Sequence, residues 1–277
     1  MVATEVSSKL VRLHALLAAE TAGVVVAYSG GIDSTLVAAV AARALGDRAL
    51  AVTAVSPSLA PGEAEQAASV ARELGISHRT VRTKETEDPA YLANGVDRCY
   101  HCKSELYEVL GRIAQEAGKR IVMSGANADD LGDYRPGLRA AAEHNIRHPL
   151  VEVGLTKDDV RSSARELGIP IWDKPASACL SSRIAFGVRI SVEELSKVGR
   201  AERVVKDEGF RQCRVRVHGD VVRVEVEADE LPRLNDPAVR ARVTAGIKTL
   251  GYRYITVDLE GFRSGSMNPL DAGQAPA

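Results

Sequence analysis

The sequence predicts an α/β fold: a parallel sheet with helices on both faces, followed by a small α+β domain toward the C-terminus. Three observations predict it. Short apolar runs that read as buried strands alternate with segments of helical period as far as Met123. The first of these runs, Gly23–Tyr28, passes through a glycine-rich loop straight into a helix. Beyond residue 190 the pattern changes to strict polar–apolar alternation on either side of a tight turn.

Taken in order, residues 4–20 form an amphipathic helix with Leu10, Leu13, Leu16 and Leu17 on one side. Val24 to Ala27 lie in a continuous apolar run, the mark of a strand buried on both faces. An alanine-rich helix follows from Ser34 to about Leu45, where Gly46 can take the C-terminal cap. Residues 49–55 read as a strand, 61–74 as a helix opened by Pro61 and closed by Gly75, and 78–83 as a strand. A helix over 104–117, with Leu106, Val109, Leu110 and Ile113 on one face, leads to a strand at 120–123. The second pattern runs helix 191–208, strand 212–218, turn Gly219-Asp220, strand 221–227, helix 237–250 and strand 252–259, an αββαβ unit. We therefore expect a first domain over 1–180 and a second over 190–268, with the boundary inside 173–190 and a disordered tail over 269–277.

Composition narrows the function class. The chain has 277 residues, 45% hydrophobic and 26% charged, which suits a globular protein with a sizeable core. A net charge of −1 supplies no general field for nucleic acid. No apolar run approaches the roughly 20 residues of a membrane span, and the N-terminus lacks a secretory pattern. Four cysteines do not make a disulfide scaffold, so a reducing, cytoplasmic setting with free thiols is expected.

The loop Ser29-Gly30-Gly31-Ile32-Asp33-Ser34-Thr35 carries the strongest chemical signal. Glycines let backbone N–H groups curl around an anion, and a helix N-terminus adds its partial positive charge. The hydroxyls of Ser29, Ser34 and Thr35 are further donors. A carboxylate at Asp33 suits a loop that also handles Mg²⁺. No Gly-Lys-Ser/Thr ending follows, which excludes the Walker loop of kinases. The alternative is a glycine turn with a helix cap.

Ser-Gly-Gly-Ile-Asp-Ser-Thr resembles the SGGxDS signature of the PP-loop ATP pyrophosphatases, which have an adenine nucleotide α-hydrolase-like fold. That resemblance implies ATP bound at Ser29, Gly30, Gly31, Asp33, Ser34 and Thr35, and cleavage between its α and β phosphates with release of pyrophosphate. Asp129 or Asp130 could assist with the metal, though acids in such a loop also form ordinary turns; Asp130 is taken as part of the ATP site.

Further along stand Arg98-Cys99-Tyr100-His101-Cys102-Lys103 before a helix, Ser124-Gly125-Ala126-Asn127-Ala128-Asp129-Asp130 after a strand, Tyr134-Arg135-Pro136-Gly137, Lys174 to Ile184, and Gly261 to Asn268. Together these resemble the ATP-dependent sacrificial sulfur transferases, the LarE family, over almost the whole chain. The resemblance implies an enzyme that adenylates a carboxylate of pyridinium-3,5-biscarboxylic acid mononucleotide and converts it to a thiocarboxylate, in the making of a nickel-pincer cofactor. It assigns the sulfur-bearing position to Cys179, and Lys174 and Arg183 nearby would favour its thiolate. Members with one such cysteine give up its sulfur; members with three resemble holders of a [4Fe-4S] cluster, here Cys99, Cys102 and Cys179. Read alone, Cys99-x-x-Cys102 is also compatible with a redox disulfide or a zinc site; His101 is a neighbour rather than a ligand.

Arg214 and Arg216 share one strand face, opposite Cys213, Val215 and Val217. They suit a phosphate, and the resemblance places the mononucleotide phosphate near them; a solvated strand face is the alternative. Arg135 and Arg263 could meet phosphate or lie on the surface, with Arg263 grouped with the substrate arginines. Cys213 reads as core. The expected partners are a small nucleotide substrate and, by resemblance, further copies in a homo-oligomer, a hexamer, with neither nucleic acid nor membrane. A tRNA thiolase would share the loop and the cysteines but want a basic surface. An amide-forming synthetase of the GMP or NAD synthetase type would leave the cysteines without a use, as would a nucleotide-binding regulator.

Overall fold

The computed structural model describes residues 2–132, 136–175, 177–263 and 265–267. The expected disordered tail, Tyr134, Arg135, Ser264 and Asn268 lie outside the described residues. The chain divides into two compact units, Met1–Glu85 with Cys99–Ser177, and Thr86–Arg98 with Ala178–Ala277. The chain passes from one unit to the other between Ser177 and Ala178, and Thr86–Arg98 groups with the second unit.

The first unit is built on strands β1 (Val24–Ala27), β2 (Ala49–Val55), β3 (His78–Arg82) and β4 (Ile121–Met123), all parallel, in the order β3-β2-β1-β4. The helices are α1 (Val2–Ala18), α2 (Ile32–Leu45) and α3 (Glu63–Glu73), then α4 (Pro89–Leu92) of the other unit, α5 (Arg98–Glu116), α6 (Pro136–Glu143), α7 (Pro149–Glu152) and α8 (Lys157–Glu166). Alternate residues of β1 face opposite sides, and each side is covered. Val24 and Val26 pack with Leu13, Leu17, Leu36, Val40, Val70 and Val160 from α1, α2, α3 and α8. Val25 packs with Val52, Val122, Leu110, Ile113 and Ala140, bringing α5 and α6 to the other face. Burial on both faces is why these strands read as unbroken apolar runs.

From β1 the chain steps outward through β2 to β3, then returns to β4 on the far side of β1. The strand order therefore switches direction between β1 and β4. Loops leaving the carboxyl ends of those two strands part there, and ligands of open parallel sheets bind at such switch points.

The second unit holds α4, α9 (Val192–Asp207), β5 (Cys213–His218), β6 (Val221–Val226), α10 (Leu231–Leu234), α11 (Pro237–Lys248) and β7 (Tyr254–Val257). β5 and β6 are antiparallel and β7 joins β6 in parallel. Ser191 caps α9 by accepting from the Glu194 N–H at 3.0 Å. The segment Thr86–Arg98 is tied in by three side chains. Asn94 donates to the carbonyls of Ala185 and Val188, each at 2.8 Å, Tyr91 bonds Ser181, and Arg98 donates to the Ser181 carbonyl at 3.0 Å.

Candidate functional site

The loop after β1 is held open by its own hydroxyls. Gly30 has φ +72°, and a Cβ there would stand 2.8 Å from that of Ala67, so only glycine fits. Ser34 and Thr35 both donate to the Gly31 carbonyl, at 3.0 and 2.8 Å, and the main-chain N–H of Ser29 donates to Ser34 Oγ at 3.2 Å. Ser29 is exposed, whereas Ser34 is nearly buried and Thr35 fully so. The Thr35 hydroxyl shapes the loop from inside. Lys174 braces the loop by donating to the Gly30 carbonyl at 3.2 Å and to Glu63 at 2.8 Å.

Asp33, in the first turn of α2, is half-buried and fully partnered. Its Oδ1 accepts from the Asn127 amide at 3.0 Å and its Oδ2 from the Lys157 ammonium. Asn127 belongs to the loop after β4, on the other side of the switch point. That loop comes in close: a Cβ on Gly125 would stand 2.5 Å from the backbone nitrogen of Ser34. Asp130 accepts from the Asn127 N–H at 3.0 Å, and Asp129 from the Lys157 N–H at 2.8 Å. Both acids thus build the loop, as turn-forming acids do. Neighbouring Ser124 bonds His148 Nδ1 at 2.6 Å, and burial holds that histidine below its ordinary pKa. Lys157 opens α8, whose start is a reciprocal cap between Thr156 and Asp159. The sequence assigns Lys157 no role, although Thr156-x-x-Asp159 before Val160 is a legible helix start.

Cys99 and Cys102 do not precede the helix; they lie inside its first turns, since α5 begins at Arg98. Three residues apart, they share one helix face, Cys99 exposed and Cys102 half-buried. Two thiols one turn apart at a helix N-terminus form a donor pair suited to a cluster or to zinc, because that end favours thiolates. Among the described residues no group of three His, Cys, Asp or Glu side chains is placed to hold a metal ion.

Cys179 lies in the second unit, just before a 3-10 turn over Leu180–Arg183. Buried arginines grip this turn by its carbonyls. Arg183 donates to those of Ala178 and Cys179 at 2.7 and 2.9 Å, Arg98 to that of Ser181, and Arg216 to that of Ser182 at 3.1 Å. Arg183 also pairs with Glu202 at 2.7 Å, while Lys174 pairs with Glu63. The two cations that flank Cys179 in sequence therefore have carboxylates of their own.

Arg214 and Arg216 do share a strand face, and it is not solvated. Their relative exposures are 6% and 5%. Arg216 pairs with the fully buried Glu225 at 2.9 Å and reaches Ser266 at 3.2 Å. Arg214 lies over the Phe262 ring at 5.1 Å, and burial, with Arg183 nearby, pulls its pKa down to about 10, so it stays charged at neutral pH. Arg263 is exposed and paired with Glu260 at 2.7 Å. Cys213 is core as expected: it is fully buried, and burial pushes its thiol up to about 12.

Among the described residues no helix is long and apolar enough to cross a membrane. The asparagine synthase family, a PP-loop family, matches residues 14–167. An uncharacterized protein of Synechocystis, slr1717, is 46% identical over 88% of this chain and 91% of its own. The pyridinium-3,5-bisthiocarboxylic acid mononucleotide synthase of Lactiplantibacillus plantarum is 40% identical over 88% of each chain. A tRNA-specific 2-thiouridylase of Xanthobacter autotrophicus is 34% identical, over 56% of this chain and 49% of its own. The switch-point loop with Asp33, the arginine-held Cys179 turn and a likeness running nearly end to end agree: the chain is an enzyme of the PP-loop superfamily and belongs to its LarE family of ATP-dependent sulfur transferases.

Proposed function

We propose that the enzyme adenylates a carboxylate of pyridinium-3,5-biscarboxylic acid mononucleotide, releasing pyrophosphate, and that sulfur then displaces AMP to leave a thiocarboxylate. The observation that carries this reading is the pairing of two features in one chain. One is a nucleotide loop at the switch point whose Asp33 is positioned by Asn127 and Lys157. The other is a cysteine turn held by buried arginines.

The chemistry asks for both. A carboxylate is a poor electrophile until AMP makes it a leaving-group ester, and sulfur is then the natural nucleophile. In this reading Ser29, the loop backbone and the α2 N-terminus hold the triphosphate. Asp33 supplies the oxygen for Mg²⁺, which takes one or two carboxylates together with phosphates rather than a cage of protein ligands. Arg214 and Arg216 receive the mononucleotide phosphate. Together with Arg183 they put three guanidiniums beside the carboxylates Glu202 and Glu225, which favours an anion.

Cys99, Cys102 and Cys179 would hold a [4Fe-4S] cluster. The helix-turn pair is a fitting donor set for two of its irons, and such a cluster supplies an iron open to an extra sulfide. The alternative is that Cys179 donates its own sulfur.

The test uses whole protein purified without oxygen and given ATP, Mg²⁺ and the dicarboxylate nucleotide. Pyrophosphate and AMP are expected, and ADP with orthophosphate would overturn the adenylation. Intact mass after turnover separates the sulfur sources. An unchanged chain supports cluster delivery, and a loss of about 34 Da at Cys179, one H₂S, overturns it in favour of the cysteine as donor.

A further inference from the structure

We infer that Lys157 and the divalent cation compete for one oxygen of Asp33, and that the displaced ammonium then becomes a phosphate contact for the triphosphate. This deepens the reading above and rests on Mg·ATP binding at the loop.

Asp33 has two oxygens with unlike partners. Oδ1 is held by the Asn127 amide, itself 4% exposed and fixed within its loop through Asp129 and Asp130. Among the described residues Oδ2 is held only by the Lys157 ammonium. The Lys157 backbone is anchored on Asp129, but its side chain is a flexible stem with one point charge, 32% exposed. Such a pair near solvent is weak and exchangeable. A hard divalent cation prefers the same carboxylate oxygen and brings far more charge to it.

Lys174 shows what a fixed cation looks like here. Its side chain is 12% exposed, it pairs with the equally buried Glu63, and it reaches the loop through the Gly30 carbonyl. Among the described residues the Lys157 ammonium has no such second anchor, and it stands at Asp33, beside the loop proposed to hold the triphosphate. The exchange keeps Asp33 neutralised before and after the nucleotide arrives. Without Lys157 the bare carboxylate would repel an incoming polyphosphate; with it, the repulsion becomes an attraction once the metal has taken the oxygen.

Calorimetric titration of the full chain with MgCl₂ alone and with Mg·ATP tests this, using Lys157→Met and Lys157→Arg. For Lys157→Met, the competitor is gone, so Mg²⁺ alone should bind several-fold tighter, while Mg·ATP should bind about tenfold weaker for want of one charge-assisted contact. Lys157→Arg should restore most of the Mg·ATP affinity and weaken Mg²⁺ alone, because a guanidinium grips a carboxylate with two hydrogen bonds. A merely structural lysine would move both affinities in the same direction. Unchanged Mg²⁺ affinity in the Met variant, or unchanged Mg·ATP affinity, overturns the exchange. Failure of the wild type to bind Mg·ATP would instead overturn the nucleotide-loop reading beneath it.

Discussion

Arg183 Nη1 donates to the carbonyl oxygen of Cys179 at 2.9 Å while the same guanidinium pairs with Glu202, at relative side-chain exposures of 1% and 3%. The charge nearest Cys179 in sequence thus fixes its backbone. Glu202 extends the chain of contacts by accepting from the Val215 N–H at 3.3 Å, which locks the cysteine turn to β5.

Arg183→Ala should therefore cost roughly 3–5 kcal/mol, the loss expected when one member of a buried pair leaves the other uncompensated. Glu202→Gln keeps one oxygen to accept from Arg183 Nε and the Val215 N–H, loses the bond from Arg183 Nη2, and should cost less. Urea unfolding measures both, and alkylation of Cys179 should quicken in the alanine variant as its turn loosens. Wild-type stability in Arg183→Ala would show that the pair contributes little.

Gly125→Ala should damage the nucleotide loop. Its methyl group would meet backbone of Ser34 at 2.5 and 2.8 Å, where no flexible side chain can yield. Gly111→Ala is the control, since a Cβ there meets nothing within 4 Å in α5 and should stabilise by about 0.4–1 kcal/mol. Thermal unfolding and ATP titration of the pair provide the comparison. Equal behaviour of the two variants would mean that the loops are less closely packed than the structure has them.

Replacing Arg214 and Arg216 with alanine should weaken the mononucleotide by more than about tenfold and spare ATP, each charge-assisted phosphate contact being worth roughly 1.5–3 kcal/mol. Glu225 keeps Arg223 at 3.0 Å, so the carboxylate is not left bare. Unchanged substrate affinity by calorimetry would make the two arginines purely structural supports of the turn.

Cys213 should resist alkylation in the folded protein. With its pKa pushed up to about 12, roughly one molecule in ten thousand is thiolate at pH 8, and the side chain is fully buried. Peptide mapping after iodoacetamide should find it unmodified until denaturant is added. Cys213→Ala should leave iron content and sulfur transfer unaltered, unlike alanine at Cys99, Cys102 or Cys179. Rapid labelling of Cys213 under native conditions would contradict its core position.

What the sequence by itself determined is what short-range periodicity and backbone chemistry control. The strand–loop–helix around Ser29–Thr35, the alternation that puts Cys213 inward, and the αββαβ order of the second unit all follow from neighbours a few residues apart. The tertiary structure decided what long-range contacts control. Thr86–Arg98 belongs with the second unit because Asn94 and Arg98 bond carbonyls more than eighty positions away. In sequence Arg214 and Arg216 suit a phosphate or a solvated strand face alike, and their burial shows only in the fold, where Arg216 meets the Ser182 carbonyl and Arg214 lies over Phe262. The cap that starts α8 could be read locally, but not that its lysine meets Asp33, 124 positions earlier. Hydrogen bonds and ion pairs between distant segments leave no period in the sequence; they exist only once each unit has folded and brought those segments side by side.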